Sequence, residues 1–341
     1  LWIAGRLNEL TDCDYDQALV KSLLKGAEWI INKRLTQDTG QPHRGLMPAG
    51  FSAEHLGPND YYYWDNFWGV AGLRSAARLA GKFHSREKEE ALAHQADLFQ
   101  TSIMNSIEKI PDKRRQGAIP ASPYRRMDAG AVGSLVADYP LELLAPGDPL
   151  IMNTIDYLQS HCFHSGAFVQ DMIHSGINIY LTLAIAQTKL RAGDPAYRQL
   201  IRTTAELASP TGQWPEAIHP FTKGGCMGDG QHGWAAAEWL MMMRNLFIRE
   251  EGHRLIIGSG IFPEWLQSGQ EVAFGPTLVP GGRLSVRLQR SETTVRVAMA
   301  GDPGPEIEVV VAIPGYKQQK VETLDQPLAC LLYTSPSPRD S

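Results

Sequence analysis

Residues 212–234 concentrate groups that do chemistry: Glu216, Asp229, His219, His232, Trp214 and Trp234 among six glycines. A connection between helices ordinarily needs about two to eight residues. One of 23 residues, with isolated polar groups and broad aromatic faces, reads as the floor of a binding site. Two carboxyls with unequal jobs would make that floor an acid–base site for cleaving a C–O bond with water. One gives a proton to the leaving oxygen, and the other activates water on the opposite face. The acid must hold its proton near neutrality, so apolar surroundings or a second carboxylate must raise its pKa. Glu216 and Asp229 are the carboxyls of that loop. Asp65, between Trp64 and Phe67, and Asp128, beside Met127, have apolar neighbours that could raise a pKa in this way. Arg125 and Arg126 would pull Asp128 the other way, toward ligand binding rather than proton donation.

Each of these residues also has a structural role open to it. Asp65 and Asp128 both stand at the start of an expected helix, where a carboxylate caps free amides. Glu216 fits a solvated loop acid, Asp229 a turn among its three glycines, and His232 a cap or a hydroxyl ligand. Tyr63, Trp64, Trp214 and Trp234 serve equally as stacking faces or as core. Asp171 and His219 complete the candidate set. His161, His164 and His174 have no metal-ligand spacing, and residues 224–230 lack the Gly-Lys-Ser/Thr ending of a phosphate loop. No metal or cofactor is expected.

Four copies of one arrangement position these groups: helix, long polar and aromatic loop, helix, tight connection. The expected helices pair as 15–35 with one starting near Phe67, 83–110 with 127–138, 149–160 with 177–191, and 195–207 with 232–250. Helices after the long loops are small and apolar, as at 70–73, 129–133 and 235–237; the others carry charge, as at 86–90. Close packing favours the first kind and a solvent face the second. The reading is a mainly α chain, an (α/α) toroid of helical hairpins with an inner and an outer ring and all long loops at one end. After residue 251 the pattern turns to alternating, β-branched runs at 254–258, 271–274, 282–288, 293–298 and 307–313, a small β-sandwich. The expected organisation is residues 1–251, helical; 252–329, β; and 330–341, a tail. A net charge of -5 and no basic patch speak against nucleic acid, and no apolar run of membrane length is present.

Long-looped helical hairpins followed by a β module resemble the (α/α)6-barrel glycosidases: the glucoamylase, trehalase and processing-α-glucosidase families. Residues 62–67, Tyr-Tyr-Trp-Asp-Asn-Phe, resemble the Tyr-Trp-Asp-x-Tyr-Phe motif of trehalases, and Gly45-Leu46-Met47-Pro48 resembles the Gly-Leu-Leu-Pro loops of the clan. The resemblance covers roughly residues 15–266. It implies inverting hydrolysis of an O-glycoside, an α-glucoside first, with no cofactor and a carbohydrate as partner. Counting hairpins back from the last makes Asp65 the acid and Glu216 the base; the trehalase motif instead makes Asp65 a sugar ligand and Asp128 the acid. Tyr63, Trp64, Arg126, Asp171, Trp214, His219, Asp229 and His232 would line the sugar site. A glycoside phosphorylase, a non-catalytic carbohydrate-binding domain, and an epimerase or lyase using His219, His232 and Tyr63 stand as alternatives.

Eight helices against the twelve of a full barrel, and a first residue Leu1, lead to the expectation of a fragment whose inner-ring faces are partly bared. Back-translated, the sequence from Cys330 resembles a sequencing-library adapter read in frame, so 330–341 are expected to be extraneous. The other cysteines, Cys13, Cys162 and Cys226, form no C-x-x-C pair and mildly favour a reducing compartment.

Overall fold

The computed structural model describes residues 1–37, 40–51, 58–172, 175–267, 269–324 and 328–334, with side chains up to residue 317. The chain divides into two compact units, Leu1–Arg6 with Asp14–Trp239, and Leu7–Cys13 with the chain from Leu240 onward.

The helices are α1 (Trp2–Thr11), α2 (Gln17–Lys33), α3 (Tyr63–Phe83), α4 (Arg86–Glu108), the short α5 (Asp112–Arg115), α6 (Pro149–His161), α7 (Ile179–Arg191), α8 (Tyr197–Glu206) and α9 (Gly233–Phe247). Within the first unit α3 packs on α2 and α4, and α7 packs on α8. Between them lies a 3-10 helix, Ala129–Ala137, that touches α3, α6 and α7. An α-helix was expected there. Gly130 and Gly133 weaken α propensity, and the Asp128 side chain takes the Gly130 amide at 2.9 Å, tightening the first turn. All nine residues of this element are buried.

α3, the 3-10 helix and α7 are the inner elements, and nearly every α7 residue is buried. Small residues make the approach possible: a Cβ on Gly69 would stand 2.6 Å from the Phe99 ring of α4. The outer helices carry polar starts, with Asp16 capping α2 through Leu19 N (2.7 Å) and Ser85 capping α4 through Lys88 N (3.2 Å). This is an α/α toroid of helical hairpins, incomplete in the number of helices described. The Ala235–Ala237 stretch departs from the inner-ring expectation. Ala235, Met242 and Leu246 form a buried stripe on α9, while Ala236 and Ala237 are exposed and Leu240 is 68% exposed.

The two late loops are not irregular. They contribute β1 (Phe163–His164), β2 (Ala167–Gln170), β3 (Gly176–Ile177), β4 (Ala217–Ile218) and β5 (Gly225–Met227), hydrogen-bonded in that order into one sheet.

The second unit is built of strands. β6 (Ile248–Glu251) pairs antiparallel with β7 (Arg254–Ile257), and β11 (Glu308–Val311) runs parallel to β7. β8 (Glu271–Val279), β9 (Gly282–Arg290), β10 (Thr294–Gly301), β12 (Lys317–Leu324) and β13 (Leu328–Thr334) form an antiparallel sheet in the order β12-β13-β10-β9-β8. Alternation decides which face is inward: Leu284, Val286 and Leu288 of β9 and Val295, Val297 and Met299 of β10 are buried. Arg244 and Glu250 close a two-pronged ion pair at 2.8 and 2.5 Å, each 9% exposed. Cys330–Thr334, set aside above as a tail, lie in β13 opposite Ala298–Thr294, a main-chain pairing that asks nothing of side-chain identity; residues 335–341 fall outside the described residues.

Candidate active site

The long-loop end of the first unit is knitted together at the start of α3. Tyr63, Trp64 and Asp65 occupy its first turn rather than the preceding loop. No side chain caps this helix. Its free amides are met from neighbouring loops instead: Tyr63 N donates to Ala121 O at 2.9 Å. Asn66, fully buried, reaches back to Tyr62 O (2.6 Å) and accepts Met47 N (2.8 Å), fastening the Gly45–Pro48 segment beneath the helix.

Asp65 is the third residue of that helix. Its carboxyl opens to solvent, yet desolvation by the surrounding protein pushes its pKa up to about 6. The helix dipole favours the charged form at this position, so the shift records how much the surroundings disfavour it.

Glu216 sits at the mouth of β4. Asn178, the residue before α7, donates to its main-chain carbonyl at 3.3 Å. Gly228, just past β5, lies against its side chain with φ +69°. A Cβ there would come within 2.8 Å of Glu216 Cβ and 3.0 Å of Oε2. Glycine is required on both counts.

An aromatic chain runs between the two carboxyl positions. Trp64 contacts Trp68 (6.0 Å between centroids) and Trp234 (6.4 Å); Trp234 stacks on Tyr180 at 4.6 Å, and Tyr180 meets His232 at 5.0 Å. His232 N then donates to Trp214 O at 2.8 Å, two residues before Glu216. Two nitrogens of this wall, His232 Nδ1 and Trp68 Nε1, are buried without a hydrogen-bond partner among the described residues. Each such group costs about 1–3 kcal/mol.

One carboxyl of the wall was not anticipated. Glu238 of α9 accepts hydrogen bonds from Tyr139 Oη (3.3 Å) and from the Trp234 side chain one turn earlier. Gln187 of α7 donates to Tyr139 Oη at 3.2 Å. Burial lifts Glu238 to about 7 against these two hydrogen bonds, which act downward. The signal in the sequence was a Glu four residues after Trp234, on the same face of an apolar helix.

The other expected site residues divide. Asp128 caps the 3-10 helix through Gly130 N and pairs with Arg125 at 2.6 Å, the two side chains each 16% exposed. The partner is Arg125; Arg126 is exposed. Tyr63 points inward: it is fully buried, its hydroxyl meets Ser106 at 2.9 Å, and burial pushes its phenol strongly up. Trp214 is 5% exposed, and its indole donates to Thr204 O at 2.9 Å. Their rings are therefore core, because both polar tips find partners inside the helical layer. His219 Nδ1 takes the amides of Phe221 and Thr222, stapling its own turn, and Asp229 does the same for Gln231 N. Asp171 is exposed, and His174 lies outside the described residues. No cluster of three or more metal-ligating side chains occurs among the described residues, and no helix among them is long and apolar enough to cross a membrane.

No protein-family model and no curated protein matches the chain. Solved structures do. The chain is similar to the GH78 family rhamnosidase of Bacillus sp. GL1, with 18% identity over 92% of this chain and 32% of that one, at a TM-score of 0.52. It is similar to the α-L-rhamnosidase of Dictyoglumus thermophilum, with 12% identity over 98% and 38%, at a TM-score of 0.53. A bacterial glucoamylase complexed with acarbose matches at 16% identity over 71% and 39%, with a TM-score of 0.49. The likeness to the two rhamnosidases is one of fold alone, the α/α toroid. The chain spans 32% to 39% of the length of these three proteins.

Proposed function

We propose that this chain carries the acid–base centre of an inverting glycoside hydrolase, with Asp65 as general acid and Glu216 as general base. The observation that carries the reading is Asp65: a solvent-reaching carboxyl whose pKa is raised to about 6, on a rigid helix turn beside an aromatic wall. Such a group still holds its proton where an ordinary aspartate has lost it. Asp128 serves the acid role poorly, since its carboxyl is engaged by the Arg125 guanidinium at 2.6 Å and by the Gly130 amide at 2.9 Å.

In this mechanism the acid protonates the leaving glycosidic oxygen as the C1–O bond lengthens. Glu216 takes a proton from water attacking C1 from the other face, and the anomeric configuration inverts. That geometry calls for carboxyls roughly 6.5–9.5 Å apart. Trp64 and Trp234, both partly exposed, offer flat faces to the C–H side of a pyranose. Glu238 holds Trp234 in place. The substrate is an O-glycoside: the neighbours' names put α-L-rhamnosides beside α-glucosides and trehalose in the panel to be screened.

The test is turnover of that panel by the chain and by two variants. Glu216→Gln and Asp65→Asn should each abolish hydrolysis while sugar binding survives. Activity retained in either variant removes that residue from the mechanism; saturable binding without turnover in the parent chain makes this a carbohydrate-binding unit instead.

A further inference from the structure

A second aromatic cluster lies outside the wall just described. The His43 and Tyr61 rings are parallel within 4° at 4.3 Å. Tyr124 stands edge-on to Tyr61 at 5.8 Å and 61°, and its hydroxyl meets His43 Nδ1 at 2.5 Å. Tyr124 is 43% exposed, and the other two rings are partly exposed. Three aromatic rings held at the surface do nothing for the core.

The loops beneath them are fastened with unusual thoroughness. Asp60 accepts Tyr61 N (2.7 Å) and Ser122 Oγ (2.5 Å), and its main chain pairs both ways with Gly50. Arg114 donates to Pro123 O (2.8 Å) and Arg125 O (3.1 Å), the carbonyls on either side of Tyr124. Charged groups thus fix the main chain around both tyrosines. Rigid aromatic faces presented to water are a preorganised surface, whose binding loses little to ordering.

From these features we propose that His43, Tyr61 and Tyr124 form a stacking platform for a further sugar unit of a neutral oligosaccharide. The class of ligand rests on the glycosidase reading. A pyranose lays its C–H face on such a ring and keeps its hydroxyls in water. Asp60 and Arg114 are spent on the loops, and a neutral sugar needs no charged partner. Tyr61 is four residues before Asp65, within about 14 Å along the chain. One oligosaccharide can therefore span both, and a second bound unit makes the protein prefer chains over single sugars.

The test separates binding from turnover by using the Glu216→Gln chain. It is applied to an array of neutral oligosaccharides of one to six units spanning common sugars and linkages, with Kd measured for the best ligand. Binding should rise with chain length. Tyr124→Ala and Tyr61→Ala, added singly, should each weaken the best ligand about tenfold, with circular dichroism unchanged. His43→Ala provides an independent truncation if Tyr61→Ala loosens the entry to α3. Length-independent binding, no oligosaccharide bound, or affinity unchanged in all three variants overturns the platform. Hydrolysis is not needed for any of these outcomes, so a failed catalytic assignment is told apart from a failed platform.

Discussion

Glu238→Gln should stabilise the protein, and only above acid pH. The side chain is partly buried between Tyr139 and Trp234, and its carboxyl titrates near 7 instead of 4.5 because burial disfavours the charge. Below 4.5 the group is protonated in folded and unfolded chains alike and has no effect on stability. Between 4.5 and about 7 the folded state keeps a proton that the unfolded chain releases, so stability falls as pH rises. Past 7 the whole cost is present, and the shift corresponds to about 3 kcal/mol at about 1.4 kcal/mol per pH unit. Glutamine keeps an acceptor for the Tyr139 and Trp234 donors and carries no charge. Urea unfolding followed by tryptophan fluorescence, at pH 4.5 and pH 8, measures the difference. The variant should match the parent within about 0.5 kcal/mol at the lower pH and exceed it by about 3 kcal/mol at the higher. A gap of equal size at both pH values would mean that the Glu238 carboxylate is not the cause, since only its titration makes the gap pH-dependent.

Three further outcomes are expected. Gly228→Ala puts a Cβ 2.8 Å from Glu216 Cβ at φ +69°; turnover should drop about 100-fold through displacement of Glu216, with the circular dichroism spectrum retained. Arg244→Met leaves Glu250 buried without its two-pronged partner and should cost the second unit about 3–5 kcal/mol in urea titration. Because the acid must be protonated, and Asp65 loses its proton near 6, kcat/KM should fall as pH rises through that value; a rate flat from pH 5 to 8 would exclude Asp65.

The helical hairpins were legible because composition separates their faces: the small residues of α3 let Phe99 in, and the charge run of α4 faces water. The strands from β7 to β11 were legible from alternation. What escaped was decided by partners distant in sequence. Helix α3 starts four residues earlier than expected because Ala121 O takes its first amide, Tyr63 N, in place of a capping side chain. β1 to β5 are runs of two to four residues, too short for a pattern. Tyr63 and Trp214 turned inward because Ser106 and Thr204 O wait for their polar tips, and no local rule reveals that. Glu238 was overlooked for the opposite reason: a lone Glu in an apolar helix reads as its solvent face until Tyr139 is seen against it.

The most direct measurement is proton NMR of the anomeric signal during hydrolysis of the best substrate from the α-glucoside, trehalose and α-L-rhamnoside panel. The first sugar released should have the anomeric configuration opposite to that of the substrate, and Glu216→Gln and Asp65→Asn should both remove the signal. Release with retained configuration, or unimpaired turnover in either variant, would contradict it.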